Sequence, residues 1–163
     1  MLTKEQIYSM LSSRDIRFEV TEHEAVYNMA DVAALETPYP AGDAKNLFLR
    51  DGKKNDYYLL VVAGNKRTDL KKFRKDHETG QLSFASEGDL LRIMGLRPGE
   101  VSPLGILNDE ERRVQVYIDR ELTENPGIIG VHPNDNTATV WMKTEDLTRF
   151  IAGHGNNVFV TDF

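Results

Sequence analysis

The stretch NLFLRDGKKNDYYLLVV, residues 46–62, decides the fold. Asn46 to Arg50 and Tyr57 to Val62 are rich in strand-forming side chains, and the polar segment DGKKND between them reads as a turn. The two runs are therefore expected to pair as neighbouring strands. YYLLVV is apolar or aromatic at almost every position, which places it centrally in a sheet rather than at a solvated edge.

Upstream, Thr3 with Gln6 forms a capping-box pattern that opens a helix with Ile7, Met10 and Leu11 on one face. A short strand follows around Phe18 and Val20. Asn28 and Asp31 suggest the start of a second helix, with Val32 and Leu35 inward and Pro38 ending it. TPYPAGDAK, residues 37–45, is then a loop in which Pro40 and Gly42 restrict and bend the backbone.

Downstream, Thr68 or Asp69 can cap a helix carrying Leu70 and Phe73. A strand around Leu82 and Phe84 leads to a second capping pattern, Ser86 with Asp89. Its helix is expected to bury Leu90, Leu91 and Met94 and to stop at Gly95. GLRPGEVSPLGILND, residues 95–109, is rich in turn formers and reads as a structured loop. Val114, Val116 and Ile118 alternate with Gln115, Tyr117 and Asp119, the pattern of a half-buried strand. Strands are expected at Ile128–Val131 and Ala138–Met142, then a helix capped by Thr144 with Leu147, Phe150 and Ile151 inward. Gly153 and Gly155 end that helix before a last strand, Val158–Val160. Strands outnumber helices and often adjoin in sequence. The expected fold is an α/β domain spanning residues 1–163, with a mixed, mostly antiparallel central sheet and surrounding helices.

The 163 residues suit one core, and 40% apolar with 28% charged residues is an ordinary globular balance. The absence of cysteine excludes thiol nucleophiles, disulfides, Cys-based zinc sites and iron–sulfur clusters. No segment approaches the roughly 20 apolar residues of a membrane span, and MLTKEQIYSML lacks the apolar run of a signal peptide, so a cytoplasmic location away from membranes is expected. A net charge of -6 speaks against broad nucleic-acid binding. Yet Lys66, Arg67, Lys71, Lys72, Arg74 and Lys75 gather against Asp69 alone, with Lys53 and Lys54 a little upstream. This run is either a solvated helix face or a small phosphate-contacting patch suited to one strand end.

Nucleotide-binding glycine fingerprints, HExxH and GxSxG are all missing, and His23, His77, His132 and His154 show no metal-ligand spacing. An enzyme built on this chain works without cysteine chemistry, and no metal or other cofactor is expected. Three places remain. Lys45 stands at the mouth of NLFLR, an ordinary solvated flank or a fixed charge that orients a carbonyl or phosphate. The loop Gly99-Glu100-Val101-Ser102-Pro103, with Gly105 after it, either packs as a common Gly-Pro turn or offers backbone N–H groups to a substrate. His132, ahead of Pro133, Asn134, Asp135, Asn136 and Thr137, either lines a pocket or bonds the turn that follows.

Taken together, KNLFLRD, YYLLVVAG, DLKKF, LSFAS, GLRPGEVSPLGILND and GVHPNDNTATV resemble the YbaK-like editing-domain family attached or related to bacterial prolyl-tRNA synthetase. The likeness runs almost end to end, to the terminal VFVTDF. Nothing in the chain resembles a synthetase catalytic or anticodon-binding domain. The resemblance implies a free-standing editing unit of the alanyl-tRNA(Pro) deacylase type. It matches Lys45 to the family's active-site lysine, Gly99–Pro103 to the GxxxP loop near the aminoacyl ester, and His132 to the histidine lining the amino-acid pocket. Asn46, Ser102 and Asn136 follow as neighbours, and Val101 and Gly105 as substrate-side positions of the same loop.

The implied reaction is hydrolysis of the ester joining a misattached amino acid to the terminal adenosine, with water placed beside an already activated ester. Lys45 would hold the phosphate or ester region by charge, and Gly99, Ser102 and Pro103 would complete the catalytic set, the backbone of Gly99 to Pro103 positioning the carbonyl and amino group. Alanine would enter by size, as the second sieve of a two-step discrimination. Two alternatives stay open: a deacylase for Cys-tRNA(Pro) or another small aminoacyl-tRNA, and a non-catalytic module that binds tRNA or an amino acid. The expected partners are the tRNA(Pro) acceptor end, through Lys66, Arg67, Lys71 and Lys72, and prolyl-tRNA synthetase.

Overall fold

The computed structural model describes every residue except Lys54 and Asn65. In chain order it runs α1 (Lys4–Ser13), β1 (Phe18–Glu22), α2 (Met29–Ala33), β2 (Ala44–Asp51), β3 (Tyr57–Ala63), α3 (Leu70–His77), β4 (Leu82–Phe84), α4 (Glu87–Met94), β5 (Val114–Asp119), β6 (Ile128–Val131), β7 (Ala138–Lys143), α5 (Thr144–His154) and β8 (Val158–Thr161). Short 3-10 turns cover Pro40–Gly42, Pro103–Asn108 and Arg120–Thr123.

The β2–β3 hairpin is the seed of a five-stranded sheet of order β4-β2-β3-β5-β8. β2 pairs antiparallel with β3 and with β4, whereas β5 lies parallel to β3 and β8 parallel to β5. β3 is buried along its whole length. Its alternating side chains serve two cores: Tyr57, Leu59, Val61 and Ala63 join the main one, while Tyr58, Leu60 and Val62 join a smaller one with Phe73 of α3 and Tyr117 of β5. That is why YYLLVV shows no polar alternation.

The remaining strands form a separate antiparallel sheet of order β1-β7-β6. Ile129, Val131, Val140 and Met142 point from it into the main core, alongside Ile7 and Leu11 of α1, Leu90, Ile93 and Met94 of α4, and Leu147, Phe150 and Ile151 of α5. The mixed α/β class is as expected; the division into two sheets is a tertiary feature.

Local hydrogen bonds mark the helix starts. Thr3 and Gln6 close a full capping box, Asn28 accepts from the Asp31 N–H, and Asp69 accepts from Lys72. Several expectations need correction. α2 ends at Ala33, short of Leu35, because Ala34 closes its last turn. α4 buries Ile93 with Leu90 and Met94, leaving Leu91 50% exposed, since only the first three share a helical face. Ser86 accepts from the Asp89 N–H, but the Asp89 carboxylate turns away from the helix start and accepts from Tyr57 and Arg92 instead of closing a capping box. β5 is buried on both faces except at Gln115, because α3 covers its second face. Thr144 is the first residue of α5 rather than its cap, and its hydroxyl donates to the Leu122 carbonyl at 2.6 Å.

Candidate functional site

The start of β2, the loop after α4 and the end of β6 meet at one cleft of about 250 Å³. Lys45 and Asn46 form one wall, Gly99 and Val101 a second, and His132 a third. The segment after β1 roofs it through Tyr27, Asn28, Met29 and Val32. Beside the cleft lies a recess of about 30 Å³, sharing Val26, Val32, Ala44, Asn46 and His132 and closed by Leu35, Gly130 and Trp141. That space is comparable to one water molecule or one methyl group.

Lys45 and Asn46 are neighbours on β2, so their side chains leave opposite faces of the sheet. Lys45 pairs with Val62 and shares the side of the smaller core; its ammonium donates to the Lys66 carbonyl. A lysine ammonium has three N–H groups, so two remain for a ligand. Asn46 pairs with Val61 on the other face, and its side-chain oxygen is buried without a hydrogen-bond partner. A buried acceptor left open at a cleft wall is costly unless a ligand or water fills it.

Gly99 takes a left-handed φ of +84°, and a β-carbon there would lie 3.3 Å from the Tyr27 ring. Both the backbone and the roof therefore favour glycine at this position. Ser102, Pro103 and Gly105 stand behind this wall rather than on the cleft. Ser102 is fully buried, donates to the His132 carbonyl at 2.5 Å and accepts from the Leu104 N–H at 3.2 Å. Pro103 opens the 3-10 turn, and Gly105 packs closely against Leu96 and Met94. Ser102 thus ties the glycine loop to the histidine strand. Asn136 is also buried behind the site, where its amide donates to the Val26 carbonyl at 3.1 Å and anchors the roof.

His132 Nδ1 lies 3.0 Å from the Ala138 carbonyl, which can only accept, so Nδ1 carries the proton. Burial lowers the His132 pKa from its ordinary value; the Ala138 hydrogen bond opposes this only in part, and nearby His23 adds to the lowering. The ring is accordingly neutral at pH 7, with the Nε2 lone pair free to accept. His23 stands edge-on at 6.2 Å and is held by the Glu24 carbonyl and the Thr139 hydroxyl.

The basic run is divided in its roles. Arg67, Lys71 and Lys72 are exposed, with Lys72 paired to Asp76 at 2.7 Å, and Lys53 is exposed as well. Lys54 lies outside the described residues. Lys66 departs from the expected phosphate contact, because its ammonium is already engaged by Asp119 at 3.0 Å and Glu121 at 3.3 Å. Sequence reasoning also missed the roof residues Val26, Tyr27, Met29 and Val32, and Trp141 in the recess. The long connection between β1 and β2, mostly outside regular structure, was the available signal.

Comparison with known proteins identifies the family to which this fold belongs. The aminoacyl-tRNA editing domain family matches residues 23–150. The prolyl-tRNA editing protein ProX of Acetoanaerobium sticklandii is 36% identical over 156 residues, covering 96% of this chain and 94% of that protein. The prolyl-tRNA synthetase associated domain-containing protein 1 of Bos taurus is 28% identical, covering 94% of this chain and 91% of its own length. The crystal structure of a candidate trans-editing enzyme for prolyl-tRNA synthetase superposes with a TM-score of 0.71 over 99% of this chain and 98% of that one, at 22% identity. The chain belongs to the aminoacyl-tRNA editing domain family, on its YbaK-like, prolyl-tRNA editing side.

Proposed function

We propose that this protein hydrolyses mischarged Ala-tRNA(Pro) in trans, releasing alanine and free tRNA. The observation that carries this reading is the cleft itself: three segments distant in sequence surround one opening, next to a recess of about 30 Å³. The alanine methyl fills such a recess, whereas the three ring methylenes of proline exceed it. The relative named for prolyl-tRNA editing supports tRNA(Pro) as the carrier, and the relatives named for association with prolyl-tRNA synthetase support that enzyme as a partner.

In the proposed reaction water adds to the ester carbonyl, the tetrahedral oxyanion collapses, and the bond to the ribose oxygen breaks. Of the two protons the water brings, one leaves with the ribose oxygen and the other passes to solvent when the amino acid departs as its carboxylate. Lys45 supplies fixed positive charge at the phosphate or ester region, and the backbone at Gly99 to Val101 positions the carbonyl. Asn46 and the neutral His132 ring offer acceptors to the substrate's amino group or to the attacking water. A vicinal ribose hydroxyl helps to orient that water, so the site requires no nucleophilic side chain; the rate comes from placement and electrostatics. Arg67, Lys71 and Lys72 supply phosphate contacts that position the acceptor end, and base recognition at that end or delivery by the synthetase guards correctly charged alanyl-tRNA from destruction.

The test is deacylation of purified Ala-, Cys- and Pro-tRNA(Pro) by the wild-type protein and by Lys45→Ala. Alanine release is expected to be fastest, with proline untouched and K45A folded but inactive. Preference for the cysteinyl substrate would move the specificity to cysteine. Absence of hydrolysis on all three, with tRNA binding intact, would leave a binding module.

A further inference from the structure

Lys66 lies three residues beyond the end of β3, and its side chain, 28% exposed, makes a set of contacts foreign to a solvated surface lysine. Its ammonium donates to Asp119 Oδ1 at 3.0 Å and to the Phe163 carbonyl at 3.4 Å, and pairs with Glu121 at 3.3 Å. Asp119 is fully buried at the end of β5. Its other oxygen accepts from the Ala63 N–H at 3.0 Å, and Oδ1 also accepts from the Glu121 N–H at 3.1 Å. One carboxylate therefore grips both the end of β3 and the lysine three residues later. The Lys66 N–H donates to the Ala63 carbonyl at the end of β3, and the Gly64 N–H donates to the carbonyl of Asp43, just ahead of β2. The Lys66 carbonyl accepts from the ammonium of Lys45.

We infer that Lys66 is a positioning residue: anchored by Asp119 and Glu121, it fixes the carbonyl on which the Lys45 ammonium rests. This rests on the role proposed above for Lys45. Left to itself, a lysine on four rotatable bonds spreads its charge over many positions. A fixed carbonyl acceptor selects one of them and leaves two N–H groups for the substrate. The contact also reassigns Lys66 from the tRNA surface. An ammonium already shared by two carboxylates carries no surplus charge, so a phosphate gains nothing there.

The experiment compares Lys66→Met, Lys66→Arg and Lys45→Ala in single-turnover deacylation of Ala-tRNA(Pro), in tRNA binding across a salt series, and in thermal melts. For K66M the rate at saturation is expected to fall about tenfold or more, the scale produced by ångström-level misplacement. Its tRNA affinity and salt dependence are expected to stay unchanged, and K66R is expected to restore most of the rate. A wild-type rate in K66M overturns the inference. So does weaker binding with a salt slope shallower by about one phosphate contact, which returns Lys66 to the tRNA surface. A loss shared equally by K66R, with both melting temperatures lowered together, makes Lys66 a stability element and also overturns it. Should K66M fail to fold, Glu121→Gln at the half-exposed end of the network decides: a partial rate loss supports the positioning role, and an unchanged rate refutes it. Inactive K45A beside unimpaired K66M removes only the role of Lys66, whereas active K45A removes the role of Lys45 and this one with it.

Discussion

Ser102→Ala isolates the link between the glycine loop and the histidine strand. The side chain is fully buried, its hydroxyl donates to the His132 carbonyl at 2.5 Å, and it accepts from the Leu104 N–H at 3.2 Å. Alanine fits the same space but removes both bonds and leaves the buried Leu104 N–H and the part-buried His132 carbonyl short of a partner. Two lost bonds with partial desolvation penalties amount to roughly 2–4 kcal/mol. A domain of this size loses about 2–4 °C of melting temperature per kcal/mol, so the expected drop is roughly 4–16 °C. That remains within the usual stability of about 5–15 kcal/mol, so the variant should fold at 25 °C. Loosening the wall that carries Gly99 and Val101 should also slow deacylation about tenfold, through placement rather than binding. Urea and thermal melts measure the first effect, and single-turnover deacylation at 25 °C measures the second. An unchanged melting temperature with activity abolished would refute the reasoning, because Ser102 would then act on the substrate itself. No change in either would show that the hydroxyl carries neither role.

Three further outcomes follow from individual contacts. Burial holds the His132 pKa below its unfolded value, so the unfolded chain takes up a proton that the folded chain resists. Stability should decline as pH falls below about 6.5 and level off beneath the folded pKa. Urea titrations at a series of pH values should show this component in the wild type and lack it in His132→Asn; equal slopes would contradict it. A β-carbon at Gly130 would lie 2.5 Å from the Trp141 ring, and Trp141 is only 2% exposed and held through Nε1 to Thr21 at 3.0 Å. Gly130→Ala should cost about 1–3 kcal/mol by overpacking and distort the recess, slowing alanine release; an unperturbed melt and rate would count against the recess. Asp109 is 2% exposed and accepts from the N–H groups of Arg113 and Val114 and from the Asn156 amide at 2.8–3.1 Å. Asp109→Ala should destabilise by about 3–5 kcal/mol in a urea melt, with little direct effect on the rate of the folded fraction.

Much of the framework was legible because its causes are local. Thr3 with Gln6, Asn28 with Asp31, and Ser86 with Asp89 announce helix starts through hydrogen bonds spanning three residues. YYLLVV announces a central strand because both of its faces are covered. Adjacent apolar residues were harder to separate: Leu90 and Leu91 look alike in sequence, and only the position of the core against α4 turns one inward and the other out.

Within the cleft, Lys45, Asn46, Gly99, Val101 and His132 were named from residue type and family likeness, and the structure brings them together. Their neighbours behind the wall, Ser102, Pro103, Gly105 and Asn136, were named with them, though burial separates a strut from a contact.

By itself the sequence determined the strand and helix inventory, the family and the residues able to carry chemistry, since these depend on side-chain type and short-range order. Only the tertiary structure decided that β3 lies parallel to β5, that the strands divide between two sheets, and that Tyr27 and Met29 roof the cleft. It alone shows Lys66 facing Asp119, 53 residues away, instead of solvent. A lysine carries the same charge in either setting; which groups surround it depends on strand order, and strand order is settled by packing between segments far apart in the chain.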